Sequence, residues 1–370
     1  IAGFGAAAEA AARDLSEGVW DRVKELRNSL ELNLASVAEE TIFVGKDGPR
    51  LPNTSCIVTP GWKGETQVMQ LDLAGFAVSA GSACSSGKVR ASRTLRAMGF
   101  DDIAAVLVLQ NAGLEIDGMS LTFGNAPLAQ VCRNAAGAAA AFGWRFPIHV
   151  GRALPVMGRL ETAQTILGET GIPTRGRTLP EAQPLPVSDA FAALCHWLER
   201  EGPHRILALG PLGNLASLAL ARPDLASRID ELVWMGGGLT RGNHTASAEF
   251  NAFADPEAAA IVLAQGLPLT MVDLDFCRQI LATPVDVETL RRAKGVNAQL
   301  LGDLFGGFVD IALSRARPAM ALYDPAAAVV FVRPDLITFQ PARIDVECGG
   351  QLTRGRTVVE TRASHGLFNA

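Results

Sequence analysis

The stretch GFDDIAAVLVLQNAGLEIDGMSLTFGN, residues 99–125, joins a helical pattern to a strand pattern. Within it, DDIAAVLVLQNAG is typical of a helix and IDGMSLTFG of a strand. Helices and strands are then predicted in turn at residues 127–143, 146–151, 188–202, 205–210, 211–223, 231–237, 255–266 and 267–275. Strands that alternate with helices of this length imply βα units and a parallel sheet. We therefore expect an α/β fold, with a mostly parallel, open sheet flanked by helices.

Residues 1–98 follow a different pattern, which predicts a small N-terminal α+β segment. Apolar residues recur at steps of three and four along residues 9–36, as in a helix with one apolar face. A strand at 52–61, a helix at 67–75 and a small-residue loop at 77–87 follow. No Pro/Ser-rich spacer separates the two patterns. We expect one domain over residues 1–98 and a second over residues 99–370.

Composition excludes several classes of protein. The chain of 370 residues is 48% hydrophobic and 19% charged, which suits a globular protein with a sizeable core. Its net charge of −5 and the lack of a basic tract argue against nucleic-acid binding. No apolar run is long enough to span a membrane. The scattered cysteines form no CxxC pair, which favours reduced thiols in the cytoplasm.

Polar residues cluster where the predicted strands end. In a parallel sheet, ligands bind beyond the carboxyl ends of the strands, where Asn125, Leu209 and Met235 fall. Helix capping also accounts for aspartates at helix starts. Two adjacent carboxylates, Asp101 and Asp102, would equally suit a cation, because oxygen-rich sites bind calcium. The residues alone leave these two interpretations open.

The order of six motifs resolves the ambiguity through resemblance. GFDDIAAVLVL, TFGN, LALGPLGNLA, WMGG with GN, AEFN with DPEAA, and YDP follow one another in the chain, and VECGGQLTRGRTVVE follows them. From about residue 99 to the end, this series resembles the inosine/uridine-preferring nucleoside hydrolase family. The resemblance implies hydrolysis of the N-glycosidic bond of a ribonucleoside to ribose and free base, with Ca²⁺ as the cofactor.

The same resemblance implies a role for each matching residue. It makes Asp102, Asp324 and the backbone carbonyl of Leu209 calcium ligands. It makes Asp101 a ribose contact with a catalytic role, and puts Tyr323 at the leaving-group position. The positions implied to bind substrate are Asn125, Met235, Asn243, Glu249 and Asn251. Carboxylates suit this chemistry because the sugar becomes positively charged as the bond breaks, and a metal ion can orient water and hydroxyls.

The sequence departs from the family's pattern in four places. Ala97 stands where the family has an aspartate that is a calcium ligand and general base, so we expect impaired turnover. Many members have histidine where Tyr323 stands, and many have another histidine in the loop at residues 158–176, which has none here. We also expect the family's first strand and last helix to be missing.

Residues 1–102 resemble the C-terminal part of class V aminotransferase-like cysteine desulfurases. The motif SAGSACSSG puts Cys84 at the position of that family's persulfide-forming cysteine. The family uses pyridoxal phosphate on a lysine in a Ser-x-His-Lys setting, and no lysine here has that setting. An ordinary loop cysteine remains the alternative for Cys84.

Three hypotheses follow from the sequence. The chain is a nucleoside hydrolase, a fragment related to sulfur transfer through Cys84, or a fusion that folds without activity. The expected partner is a ribonucleoside, with neither nucleic acid nor membrane, and a homo-oligomer is left open, as is the preferred base.

Overall fold

The computed structural model describes residues 17–38, 40–44, 46, 48, 52, 55–59, 90–96, 99–186, 188–362 and 368–370. The chain divides into two compact units, Ile1–Lys88 and Val89–Ala370. Each unit is treated by itself below.

The described part of the first unit holds one helix and one pair of strands. Helix α1 covers Val19–Val37; it begins inside the helix predicted at residues 9–36 and ends one residue beyond it. Strands β1 (Ile42–Val44) and β2 (Cys56–Val58) pair in antiparallel fashion, and β2 lies inside the strand predicted at residues 52–61. The predicted helix at 67–75 and the loop that carries Cys84 fall outside the described residues.

A six-stranded parallel sheet organises the second unit. Its order is β5-β4-β3-β6-β7-β8. The strands are β3 (Arg90–Arg96), β4 (Glu115–Leu121), β5 (Ile148–Val150), β6 (Arg205–Ala208), β7 (Glu231–Met235) and β8 (Leu269–Val272). Every neighbouring pair is parallel, so all carboxyl ends lie at one edge of the sheet. The predicted α/β class is confirmed.

Strand β3 corrects the expectation that the opening strand is missing. It lies inside the sheet, where Thr94 pairs with Met119 of β4 and with Leu207 of β6. Residues 90–96 thus belong to the sheet of the second unit, and the division of the chain falls before Val89 rather than at residue 98.

Helices pack on both sides of this sheet because their apolar faces cover its strands. They are α2 (Phe100–Asn111), α3 (Leu128–Phe142), α4 (Gln164–Leu167), α5 (Ala190–Glu199), α6 (Gly213–Ala221), α7 (Pro223–Ala226), α8 (Phe250–Ala254), α9 (Pro256–Ala264), α10 (Leu274–Cys277), α11 (Pro284–Arg292), α12 (Ala298–Leu313) and α13 (Asp324–Val332). Fully buried side chains such as Trp234, Phe331 and Ile103 form the core.

Two antiparallel strand pairs complete the second unit. Strand β9 (Leu281–Ala282) pairs with β10 (Met320–Ala321), and β11 (Arg343–Val346) pairs with β12 (Thr357–Glu360). A short 3₁₀ turn covers Pro334–Leu336. The first pair leads directly into the Tyr323-Asp324 step at the start of α13, and so positions it.

Candidate active site

One pocket gathers nearly all of the predicted site residues at the carboxyl edge of the sheet. Its empty space amounts to about 750 Å³, which includes the open mouth. The predicted residues that line it are Asp101, Asn125, Leu209, Met235, Asn243, Glu249, Asn251, Tyr323 and Asp324. We call six of them the polar floor: Asp101, Asn125, Asn243, Glu249, Asn251 and Asp324.

Three carboxylates meet at the base of the pocket. One oxygen each from Asp101, Asp102 and Asp324 lie within 4.8 Å of one another. Asp102 and Asp324 are buried, and Asp101 is half-buried. Carboxylates so close together repel unless a proton or a cation lies among them, so this cluster can hold a metal ion.

Asp102 also caps its own helix, as the alternative interpretation expected. The side chain and the Gly99 backbone form a capping box at the start of α2. The side-chain amide of Asn125 donates a hydrogen bond of 3.4 Å to Oδ2 of Asp102, the same oxygen that accepts from the Gly99 N–H. A Cβ atom at Gly99 would lie 2.3 Å from the side-chain nitrogen of Asn125, so a larger residue here would require that side chain to move.

Glu249 is buried beside strand β7 and is held by backbone donors. Its carboxylate accepts hydrogen bonds from the N–H groups of Gly237 (3.0 Å), Asn251 (2.8 Å) and Ala252 (2.9 Å). Burial raises the pKa of Glu249 to about 7, although these donors oppose the rise. Gly237 has a φ of 71°, a left-handed conformation that glycine adopts without strain.

Asn251 connects two strand ends. Its side-chain amide donates to the carbonyl oxygens of Leu209 (3.2 Å) and Met235 (3.0 Å). The carbonyl predicted to bind calcium is therefore already oriented by a neighbouring side chain. Asn243 is fixed in a similar way, because its Oδ1 accepts from the Phe250 N–H at 2.9 Å.

Two ionisable groups near the carboxylate cluster have raised pKa values. Burial raises the pKa of Asp101 to about 6. Burial raises the pKa of Tyr323 above its ordinary value, and electrostatic interactions with Cys277 and Asp101 add to the rise. The tyrosine therefore keeps its hydroxyl proton and can donate a hydrogen bond into the pocket.

Sequence reasoning missed one side of the pocket. We call it the helical wall: Phe308 and Ile311 of α12, and Arg315 just beyond the end of α12. The short helix α4 also contributes the apolar residues Ile166 and Leu167, and Ala163 directly precedes it. The i, i+3, i+7 spacing of the wall residues could have indicated a shared helical face, but nothing marked that face as part of a site.

His244, the neighbour of Asn243 in the sequence, also lines the pocket. Its ring packs against Phe250 and Phe253, with centroids 5.3 and 4.6 Å away. Burial lowers its pKa. Two other predicted positions, Cys84 and Ala97, lie outside the described residues.

Comparison with known proteins identifies the family of the second unit. A sequence model of the inosine-uridine preferring nucleoside hydrolase family matches residues 98–368. The chain belongs to this family. It is thus a nucleoside hydrolase, an enzyme class that splits ribonucleosides into ribose and base, as the resemblance implied.

Two curated relatives are 33% identical to the chain. The first is an inosine-uridine preferring nucleoside hydrolase of Crithidia fasciculata, aligned over 71% of this chain and 85% of the relative. The second is the non-specific ribonucleoside hydrolase RihC of Salmonella paratyphi B, aligned over 72% and 87%. The matched family region begins at residue 98, so it gives the resemblance of residues 1–97 to desulfurases no support.

Solved structures of nucleoside hydrolases also resemble this chain in fold. A purine-preferring ribonucleoside hydrolase from Gardnerella vaginalis superposes with a TM-score of 0.67 at 27% identity, over 72% of this chain and 87% of that one. The plant nucleoside hydrolase PpNRh1 superposes with a TM-score of 0.69 at 25% identity, over 74% and 88%. Among the described residues, no helix is both long and apolar enough to cross a bilayer.

Proposed function

We propose that this pocket binds a ribonucleoside with its ribose against the polar floor, and that turnover is slow because Ala97 lacks a carboxylate. The observation that carries the proposal is the convergence of Asp101, Asn125, Glu249 and Asn251 on the pocket that also holds Asp324. Ribose presents several hydroxyl groups, and each buried hydroxyl needs a hydrogen-bonding partner. Carboxylates and amides on the floor supply acceptors and donors for them.

Calcium is the proposed cofactor, held by Asp102, Asp324 and the Leu209 carbonyl. The three-carboxylate cluster supports this proposal because its donors are all oxygens, which calcium prefers to nitrogen or sulfur. When bound, Ca²⁺ would supply a fixed positive charge that polarises water and orients sugar hydroxyls. Asp101 would remain available to contact the ribose, and its negative charge would favour the positive charge that develops on the sugar.

Ala97 is the reason to propose weak activity. In the family resemblance this position carries the aspartate that serves as ligand and base, and alanine can do neither. The loss of a general base typically costs a factor of about 10²–10⁴ in rate. A nucleoside-binding protein without turnover is the second candidate, favoured by this substitution alone.

Calorimetric calcium titration tests the proposal on the unsubstituted chain, Ala97→Asp and Ala97→Asn. Release of ribose from inosine and uridine is measured on the same samples. We expect weak or undetectable calcium binding without substitution, tight binding in Ala97→Asp, and a rate increase of about 10²-fold or more. Ala97→Asn is the matched control, because it has the shape of aspartate without its charge.

The outcomes separate the claims. Tight calcium binding and fast hydrolysis by the unsubstituted chain would sink the claim that Ala97 impairs the enzyme. If Ala97→Asp folds, as judged by circular dichroism, but neither binds calcium nor releases ribose, the calcium-site proposal itself is wrong. Equal gains in Ala97→Asp and Ala97→Asn would show that the negative charge is unimportant.

The remaining proposals concern residues 1–98 and the setting of the enzyme. A desulfurase-like segment with a reactive Cys84 would bind pyridoxal phosphate only through a lysine in the Ser-x-His-Lys setting. No lysine of the chain has that setting, so we expect no absorbance from this cofactor near the edge of the visible spectrum. The described cysteines Cys132, Cys195, Cys277 and Cys348 are free thiols, which supports a cytoplasmic setting. Self-association would be measured by sedimentation.

A further inference from the structure

We infer that Arg278 is a positioning residue for ribose binding, which holds the backbone next to Asn243 and so presents the Asn243 side chain to the sugar. This role rests on the proposed function, because it takes Asn243 to contact the ribose. Arg278 is not among the described residues that line the pocket. It can therefore act on a substrate only through a neighbouring residue.

Asn243 depends on such support more than the other residues of the polar floor. It is the exposed member of the six, whereas the others are buried or half-buried. It lies in what we call the Asn243 loop, residues 238–248, which contains neither a helix nor a strand. A residue on an irregular loop loses conformational freedom when it binds a ligand, and this loss weakens binding unless the loop is ordered beforehand.

The C-terminal half of the Asn243 loop is ordered by its own backbone. The carbonyl of Ala248 accepts hydrogen bonds from the N–H groups of Asn243, His244 and Thr245, each at 3.3 Å. A Cβ atom at Gly242 would lie 2.1 Å from the same carbonyl oxygen, so a larger residue there would push the turn open. The N-terminal half of the loop needs a separate anchor.

Two charged side chains of the α10 turn supply that anchor, and we call Asp275 and Arg278 the clamp. Oδ2 of Asp275 accepts hydrogen bonds from the N–H groups of Leu239 (2.7 Å) and Thr240 (3.0 Å). The guanidinium of Arg278 donates to the carbonyl of Gly242 at 2.8 Å. The clamp therefore binds both donors and an acceptor of the loop backbone, and its last contact directly precedes the substrate-binding asparagine.

The two members of the clamp also hold each other. They are three residues apart in one helical turn, so their side chains lie on the same face, and Nη1 of Arg278 lies 3.3 Å from Oδ1 of Asp275. Nη2 is the nitrogen that bonds to Gly242. The side chains are only 23% and 28% exposed, so water screens this pair less than it would a pair at the surface. A lysine has one nitrogen and cannot reproduce both contacts in this geometry.

Helix α10 fixes the clamp relative to the rest of the pocket. The N–H of Leu274 donates to the carbonyl of Gly237 at 3.1 Å, and Gly237 is also one of the backbone donors to Glu249. The thiol of Cys277 donates to the carbonyl of Tyr323 at 3.8 Å. The clamp thus attaches the Asn243 loop to a helix that already contacts two other parts of the site.

Titrations with inosine and uridine test the role of Arg278. The host is whichever of the unsubstituted chain and Ala97→Asp binds nucleoside more tightly, with calcium present. Arg278→Met should weaken both nucleosides by the same factor, about tenfold, because they share their ribose and a hydrogen bond from a charged donor is lost. Arg278→Lys should recover part of this loss. Calcium affinity should not change, because the proposed calcium ligands lie outside the Asn243 loop.

A double substitution separates positioning from general stabilisation. In a host that also carries Asn243→Ala, Arg278→Met should weaken nucleoside binding by no more than about twofold, because a residue that acts through Asn243 has no effect once that side chain is absent. A residue that only stabilises the fold would weaken binding by the same factor in both hosts. If Arg278→Met fails to fold, the same comparison is made with Arg278→Lys.

Arg354→Met is the matched control. Arg354 also joins a carboxylate to a backbone carbonyl, because it donates to Glu257 at 2.6 and 2.8 Å and to the carbonyl of Cys348. Its side chain is 33% exposed, and it is not among the described residues that line the pocket. Its loss should leave both nucleoside dissociation constants unchanged to within about twofold. Circular dichroism confirms that each variant folds.

The possible results distinguish the role of Arg278 from the function on which it rests. If neither host binds inosine or uridine, the ribose site is wrong and the role of Arg278 falls with it. If both nucleosides bind but Arg278→Met has no effect, or has its full effect in the Asn243→Ala host, the ribose site stands and the positioning role is refuted. Unchanged binding in Asn243→Ala, or equal weakening by Arg354→Met, would also refute it.

Discussion

The polar floor and the helical wall line one pocket, but they are built in different ways. On the floor, Glu249, Asn251 and Asp324 are 3%, 6% and 3% exposed, and the first two are fixed by short backbone hydrogen bonds. On the wall, Arg315 is exposed and Ile311 half-buried. Buried polar groups must have partners, so the floor tolerates few residue types, whereas the wall can vary.

The largest effect is expected on calcium binding, from a substitution of Asp324 in the polar floor. Asp324→Asn removes one charge from the three-carboxylate cluster and should weaken calcium binding by at least about 100-fold, since even the groups that only orient metal ligands are worth about 10–100-fold. Calorimetry on the Ala97→Asp background measures the change.

Asp286→Asn provides the control for Asp324→Asn. Asp286 begins helix α11 with a capping box but lies outside the cluster, so calcium binding should be unchanged. Equal weakening in both variants would mean that the cluster is not the site.

The second-largest effect is expected on the pH dependence of the free energy of unfolding, because the pKa of Glu249 is raised in the folded chain. Its pKa in the folded chain is about 7, above the ordinary 4.5, so folding favours its protonated form. That contribution to stability is complete below about pH 4.5 and is lost as the pH rises through 7. The loss amounts to roughly 3 kcal/mol in the free energy of unfolding.

Urea unfolding between pH 5 and 8, without calcium, measures this loss. Glu249→Gln should have a flatter profile, and Glu288→Gln, at an exposed position on α11, should retain the slope of the unsubstituted chain. An unchanged slope in Glu249→Gln would show that other groups cause the pH dependence.

The smallest effect is expected at the end of the helical wall. Ala316→Gly relieves the left-handed backbone and should stabilise the fold by about 0.5–1 kcal/mol, because glycine adopts this conformation without strain. Ala312→Gly, inside the last turn of α12, should destabilise by about 1 kcal/mol. Thermal unfolding compares the two variants, and a lower melting temperature for Ala316→Gly would contradict the assigned strain.

The sequence predicted most of the parallel sheet because its strands are short apolar runs between helical patterns, as in ELVWMGG at residues 231–237 and strand β7 at Glu231–Met235. Strand β3 was missed for a physical reason. Strands inside a parallel sheet normally read as continuous apolar runs, but RASRTLR contains three arginines. Only pairing with β4 and β6 identifies it as a strand.

The sequence by itself determined the fold class, the family and the polar floor, because buried polar residues after strands leave a pattern of residue type and order. The resemblance implied that Asp102 and Asp324 share one site, and the tertiary structure brings one oxygen each from Asp101, Asp102 and Asp324 within 4.8 Å of one another. The tertiary structure also decided that Arg315 joins them in one pocket. A helical face carries no local mark of what lies opposite to it, because that depends on how α12 packs against the neighbouring helices and strand β10.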